Sequence, residues 1–474
     1  MKKKFLFIFA LASFLSTMSG RGQTIIGYWE GAILIVNQKL AIRVEFSQSG
    51  DSLTGTIDVP EQNAQGLPLR YIVQRNTHVT FELPAGLSVA QFDGIVAADS
   101  ISGSFAQAGF KGNFILRKAT KKIEPEIQEI IPYKQEDIVF FNDTIRLAAT
   151  LTIPETAGLH PAVVMITGSG PQNRDEELFG FKPFKLIADH LTRKGIAVLR
   201  YDDRGVGGSS GSISESTTAD VAGDALAAVR YLKTRAEIDT TQIGLCGHSE
   251  GAIAAPLAAV ASKDVAFIVL LAGTGLNGEE IILLQSERIM RADSMKESEI
   301  RRTLDLNKRS FEIARTNEGW SELRTLFLQE AEREFDKLSP EEKKSVVNKD
   351  EYFNTAVNGQ IMQLQTKWFQ FFLRHEPAPV LEKVTCPVLL LFGELDLQVP
   401  AQQNRKAMEA ALKRGKNSDV TSKVFPKANH LFLSAKTGSP REYASAKKEF
   451  VPGFLETMSS WILRRTNASS KKIK

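Results

Sequence analysis

Two hydrophobic rhythms divide the chain. Over residues 23–118 apolar and polar positions alternate in short runs. In Lys39–Phe46 the side chains of Leu40, Ile42, Val44 and Phe46 fall on one face, because successive strand side chains point to opposite sides. Similar runs occupy Tyr28–Ile35, Leu53–Val59, Leu69–Gln74, His78–Leu83, Phe92–Ala97 and Gly112–Leu116. Turn residues separate them at Ser49-Gly50-Asp51, Pro84-Ala85-Gly86 and Ala108-Gly109. The pattern predicts an antiparallel, barrel- or sandwich-like all-β domain of roughly seven or eight strands. Residues 119–137 are charged, carry Pro125 and Pro132, and read as a linker.

From residue 138 the rhythm changes. A hairpin is expected at Ile138–Phe141 and Ile145–Ile153, around Asn142-Asp143. Short apolar runs then alternate with helix-period stretches, which predicts a mostly parallel sheet covered on both faces. The strands are Ala162–Ile166, Ile196–Tyr201, Ile243–Cys246, Val265–Ala272, Pro387–Phe392 and Thr421–Phe425. The helices between them include Lys185–Lys194, ending at Gly195, and one opened by Thr217 with Asp220 three residues on, a capping-box variant. Gln402–Leu412 and a closing helix over Tyr443–Leu463 complete the set. The alternation stops between about 276 and 379, where the chain is charged and helix-forming. That block reads as a helical cap inserted into an α/β domain spanning 138–474. Its aromatic run Trp368–Phe372 reads as cap core, with a substrate pocket as the alternative.

Composition alters this picture at one place. Met1–Lys4 is cationic, Phe5–Leu15 is apolar but too short to span a bilayer, and small residues follow up to Gly22. Residues 1–22 therefore read as a cleavable signal peptide, and the mature protein as periplasmic or secreted with no transmembrane segment. Removing Lys2, Lys3, Lys4 and Arg21 lowers the basic count from 59 to 55, equal to the 55 acidic residues. A near-neutral mature chain carries no basic surplus for nucleic acid. Two cysteines, Cys246 and Cys386, make no disulfide framework and read as free. The β domain shows no catalytic constellation. It is open to a ligand, a glycan or a partner protein, or to shielding the second domain.

The chemistry concentrates at Gln242–Gly251, QIGLCGHSEG. An apolar strand leads into Gly247-His248-Ser249-Glu250-Gly251, and helix-forming Ala252–Ala261 follows. Strand, tight turn and helix are the setting of a nucleophile elbow, which exposes a serine hydroxyl on a crowded turn. The amide of Glu250, just after the serine, is a candidate oxyanion donor.

Five segments in this chain order are similar to those of the α/β-hydrolase superfamily: ITGSGPQNRDE at 166–176, YDDRGVGGSSG at 201–211, GHSEG at 247–251, GELDLQVP at 393–400 and ANH at 428–430. In detail they resemble bacterial carboxylesterases near the serine aminopeptidase and acylaminoacyl-peptidase branches. The resemblance covers about Val139 to Arg465 and leaves the β domain outside. It implies an α/β-hydrolase fold and a second oxyanion donor in Thr167-Gly168-Ser169-Gly170, Ser169 first and Gly170 second. Thr167 stands where the family usually has histidine.

Six histidines are candidates for the base. His78 lies in the β domain, His160 precedes a strand at the far edge, His190 sits within a helix and His375 ends the cap. His248 adjoins the serine and is expected to point away. His430 follows the last strand, at the edge that carries Ser249. The acid then falls between serine and histidine in sequence. Asp396 fits, with Glu394 the weaker alternative. Asp202–Gly208 is Gly-rich, but its adjacent acids suit structure rather than phosphate. No metal-ligand spacing appears, and the chemistry requires no cofactor. The expectation is a serine hydrolase acting on a small-molecule ester through Ser249, His430 and Asp396. A peptidase or thioesterase is the alternative, and a non-catalytic binding protein on the same scaffold is the competing class.

Overall fold

The computed structural model describes residues 24–35, 38–50, 52–62, 64–85, 88–121 and 131–470. The segment read as a signal peptide, the turn residues Asp51 and Gly86, and linker residues 122–130 lie outside them. The chain forms two compact units, Met1–Lys122 with Ser339–Lys349, and Ile123–Leu338 with Asp350–Lys474.

The first unit is one antiparallel sheet of nine strands: β1 (Gly27–Ile35), β2 (Gln38–Ser49), β3 (Ser52–Val59), β4 (Ala64–Pro68), β5 (Arg70–Arg75), β6 (His78–Ala85), β7 (Ser88–Ala97), β8 (Ser100–Gln107) and β9 (Phe110–Ala119). Their order is β4-β3-β2-β1-β9-β8-β7-β6-β5. The alternating apolar positions meet inside, where Trp29, Phe46, Phe81, Phe92 and Phe114 are buried. Phe81 stacks on Phe92 with centroids 4.5 Å apart. The Leu69 amide donates to the Gly55 carbonyl at 2.9 Å, bringing the two ends of the sheet together. The unit is therefore a near-barrel, not a sandwich. Its β4 and β8 escape the sequence pattern. Segment 339–349 was expected to stay with the cap. Instead Val346 bridges Phe110, and the Val347 amide donates to the Gly109 carbonyl at 2.9 Å.

The second unit holds β10 (Tyr133–Asn142), β11 (Ile145–Pro154), β12 (His160–Ile166), β13 (Ala197–Tyr201), β14 (Ile238–His248), β15 (Phe267–Leu271), β16 (Val388–Gly393) and β17 (Val420–Phe425). Strand order is β10-β11-β13-β12-β14-β15-β16-β17. The pairs from β13 through β12 to β17 are parallel, and the β10–β11 hairpin is antiparallel. Tyr133 pairs with Pro154, so β10 begins inside the stretch read as linker.

Its helices are α1 (Pro183–Arg193), α2 (Thr218–Leu232), α3 (Gly251–Ala261), the cap helices α4 (Gly278–Ala292), α5 (Glu297–Thr316), α6 (Trp320–Lys337), α7 (Pro340–Ser345, in the first unit), α8 (Lys349–Gln365), α9 (Lys367–Arg374) and α10 (Pro377–Leu381), then α11 (Ala401–Arg414) and α12 (Phe454–Ser470). Among the described residues no helix is long and apolar enough to cross a membrane.

Period-two alternation builds two cores from one sheet. Val164, Ile166, Leu199, Leu245 and Leu390 pack with α2, α3 and α11. Val163, Met165, Val198, Cys246 and Leu391 pack with α1 and α12. α2 starts as read: the Thr217 hydroxyl accepts from the Asp220 amide, and the Asp220 carboxylate accepts from the Thr217 amide. The closing helix starts at Phe454 rather than Tyr443, after Pro452 and Gly453 with φ +78°. In register, Ile166 lies beside Gly247, His248 beside Leu271, Leu271 beside Leu391 and Gly393 beside Phe425. The carboxyl ends of these parallel strands thus form one edge, where open α/β sheets place their ligands.

Candidate active site

Ser249 follows β14 directly at that edge with φ +52°, a left-handed backbone for a residue with a side chain. Such conformations cost energy and persist only where the surroundings enforce them. The Ser249 amide donates to the Leu271 carbonyl at 2.9 Å, and its carbonyl accepts from Ala252 at 3.0 Å. The flanking glycines permit the turn. A Cβ on Gly247 would collide with the Gly251 carbonyl, and one on Gly251 with the Ile166 carbonyl. α3 begins at once behind the serine. Its first-turn amides turn back on the elbow: Ala252 donates to the Ser249 carbonyl, and Ile253 and Ala254 donate to the Glu250 carbonyl.

His430 lies beyond β17 in a loop braced by Asn429, whose Oδ1 accepts from the Leu431 and Leu433 amides at 3.0 Å each. His430 Nδ1 meets Asp396 Oδ2 at 2.8 Å. The other oxygen, Oδ1, accepts from the Gln398 and Val399 amides at 2.8 Å each. Both residues are buried. With Nδ1 engaged by Asp396, Nε2 remains for chemistry. Glu394, the alternative acid, instead accepts from the Lys427 amide at 2.8 Å.

The loop after β12 reaches the serine closely: a Cβ on Gly168 would lie 3.4 Å from Ser249 Cβ. The Gly168 amide is committed to Glu176 Oε1 at 2.7 Å. Ser169 borders the cavity of Ser249, whereas Gly170 borders only the neighbouring chamber. Thr167 is not a gap in the support of this loop. Its hydroxyl donates to Asp203 Oδ1 at 2.7 Å, and Asp203 Oδ2 accepts from the Gln172 amide at 2.9 Å. Asp202 takes Arg174 through Nε at 3.0 Å and Nη2 at 2.8 Å. The acidic segment after β13 is structural, as its composition suggested.

His248 departs from expectation. It does not point away from the site. Its ring is buried, 4.8 Å centroid to centroid from His430. Nε2 donates to the His430 backbone carbonyl at 3.0 Å, and Nδ1 meets Glu176 Oε1 at 2.9 Å. Burial alone lowers its pKa, but the Glu176 charge, the Glu176 hydrogen bond and the His430 carbonyl outweigh it and raise the net value. The carbonyl can only accept, so Nε2 carries a hydrogen, while Nδ1 faces the Glu176 carboxyl. One buried pair thereby touches the serine turn, the loop after β12 and the histidine loop. Sequence reasoning missed Glu176 altogether, although it closes the quoted segment ITGSGPQNRDE.

Glu250 is buried as well. Its Oε1 accepts from Thr218 Oγ1 and Trp368 Nε1, both at 2.7 Å. Burial raises its pKa against the pull of these bonds and of Ser169. A cavity of about 460 Å³ joins Ser249, His248 and His430 to cap residues Ile281, Phe369 and Phe372. The aromatic run serves both purposes considered for it: Phe369 belongs to the cap core, and Trp368, Phe369 and Phe372 line the cavity.

The chain is similar to several known proteins. Esterase EstD of Thermotoga maritima is 28% identical over 352 residues, covering 73% of this chain and 72% of that protein. An uncharacterized protein of Mycobacterium tuberculosis is 30% identical over 146 residues, 31% of this chain and 48% of its own. The structure of the Pyrococcus furiosus esterase Pf2001 is 16% identical, with a TM-score of 0.45 over 72% of this chain and 94% of that one. The family model described as serine aminopeptidase, S33, matches residues 182–436. That match spans more than half of the 474 residues, and the chain belongs to this hydrolase family (Hydrolase_4), on an α/β-hydrolase fold.

Proposed function

We propose that the protein is a carboxylic-ester hydrolase that works through an acyl-enzyme on Ser249, with His430 as base and Asp396 as its orienting acid. The observation that carries the reading is the buried His430–Asp396 hydrogen bond of 2.8 Å, on a histidine that shares one cavity with Ser249. His430 Nε2 takes the Ser249 proton as Oγ attacks the ester carbon. The carbonyl oxygen becomes an oxyanion facing the amides of Glu250 and of Ser169 or Gly170. The bond to the alkoxy group then breaks, and that group leaves with the proton from His430. Water repeats the sequence, releasing the acid and freeing Ser249. Asp396 fixes the tautomer and stabilises the imidazolium.

The aminopeptidase reading, which the family description favours, calls for a carboxylate free to hold a substrate ammonium. The acids lining this cavity are Glu176 and Glu250. Glu176 Oε1 is engaged by His248 and the Gly168 amide and Glu250 Oε1 by Thr218 and Trp368, while Glu176 Oε2 is buried without a hydrogen-bond partner among the described residues. An ester also needs less exact protonation of its leaving group than an amide does. The expected result is a kcat/KM higher for acetyl and butyryl esters, unactivated alkyl esters included, than for aminoacyl or prolyl p-nitroanilides. An anilide that equals the esters replaces this reading with the peptidase one. A thioester series alongside separates thioesterase activity.

The proposal extends to location. The cationic and apolar start of the chain supports export, with cleavage near Gly22. Mass spectrometry of exported protein then finds the mature N-terminus close to that point. Retention of Met1 in the exported form overturns it.

A further inference from the structure

Beside the cavity of Ser249 lies a second chamber of about 450 Å³. The two share Gly168, Ser169, Glu250, Gln363 and Trp368, so these residues form the partition. Trp368 is its central piece. Its indole N–H is tied to Glu250 at 2.7 Å, and its ring stacks on Phe372 with centroids 5.4 Å apart and planes 16° apart. Ser249 and His430 border the first chamber and not the second.

We propose, resting on the ester-hydrolase reading above, that the second chamber receives the acyl chain of the substrate, an uncharged apolar chain of medium length, while the leaving alcohol occupies the chamber of Ser249 and His430. The argument is geometric. In the tetrahedral intermediate the reacting carbon carries four groups. Oγ is fixed by Ser249, and the oxyanion faces the donors at Glu250 and Ser169. The leaving oxygen has to stand where His430 protonates it, which is the first chamber. The remaining substituent, the acyl chain, passes the donor loop on the side where His430 is absent.

The walls of that second chamber suit such a chain. Pro171, Ile213, Val221 and the Trp368 ring supply apolar surface. The chamber also borders two carboxyl groups, Asp203 and Glu250. Burial pushes the Asp203 carboxyl up to about 8, the hydrogen bonds from Thr167 and Gln172 notwithstanding, and raises Glu250 likewise. Burial therefore disfavours the charged form of both groups.

The test compares kcat/KM for acetyl and octanoyl esters of one alcohol in the wild type, Val221→Trp and Trp368→Ala. A buried methylene is worth about 0.8 kcal/mol, about a factor of four. Val221→Trp fills the chamber, and excluding two or three methylenes lowers the octanoyl-to-acetyl ratio about 15- to 60-fold. Trp368→Ala removes the ring that narrows the boundary shared by the chambers and raises the ratio. A second series holds the acetyl group and lengthens the alcohol, and its ratios stay unshifted in Val221→Trp. If Val221→Trp does not fold, Ile213→Trp, at another lining residue, fills the same chamber. Unchanged acyl ratios in folded variants, or a shift in the alcohol series instead, overturn the assignment. A wild type that turns over no ester of either series overturns the ester-hydrolase reading instead.

Discussion

Ser249→Ala is expected to lower turnover by on the order of 10⁶-fold and to abolish labelling by a fluorophosphonate probe, because members of a nucleophile–base pair act as a unit. His430→Ala is expected to match that loss. Asp396→Asn is expected to cost about 10⁴-fold through a specific route. Asp396 Oδ1 holds the amides of Gln398 and Val399, so an asparagine at 396 keeps its oxygen there and turns its NH₂ toward His430. Nδ1 must then accept, the ring proton moves to Nε2, and the base can no longer take the serine proton. The fold around 396 is preserved while the tautomer is wrong. Full-strength labelling of Ser249→Ala would sink the assignment, and an Asp396→Asn enzyme near wild-type activity would remove Asp396 from it.

The serine turn was legible because its constraints are local. A strand, two glycines about a serine and a helix leave few other folds for those residues, and the crowding at Gly247 and Gly251 shows why no Cβ fits there. The helix cap at Thr217 was legible for the same reason, since its partner lies three residues away. His430 and Asp396 were reached through chain order at one edge of a parallel sheet, a rule of topology rather than of local pattern. Strands β4 and β8 were not legible. Their sequences, AQGLP and SISGSFAQ, lack the β-branched and aromatic density that marks a strand. They are held by partners: β8 pairs with β9 along its whole length and with β7 from Ser100 to Ala106. The start of α12 was misjudged because Tyr443–Lys448 has helical composition, whereas Pro452-Gly453 sets the true boundary. The Glu176–His248 pair joins residues 72 positions apart. It depends on how the loop after β12 folds back, and no periodicity reports that.

That pair carries the other large expected effect. His248 acts through two nitrogens with different jobs, and two amides separate them. Asparagine at 248 mimics Nδ1 and keeps the contact with Glu176, but loses the His430 carbonyl. Glutamine mimics Nε2 and keeps the carbonyl, but loses Glu176. If the ring positions the base, His248→Asn loses about 10²-fold in kcat, the scale of a small misplacement of a catalytic group, with KM little changed. His248→Gln then stays within about tenfold of the wild type. Both variants leave Glu176 buried without its cation, so both are expected to lose roughly 3–5 kcal/mol of stability. The pH dependence of that loss follows from the raised pKa of His248. The imidazolium is favoured in the folded state, so its contribution is complete below the unfolded value of about 6.5. It fades as pH climbs through the higher folded value, and the gap between wild type and variants narrows toward alkaline pH. Denaturant melts on both sides of neutrality measure this directly. Equal kcat losses in the two variants would mean that His248 merely holds the fold, because a purely structural role does not distinguish which nitrogen is kept.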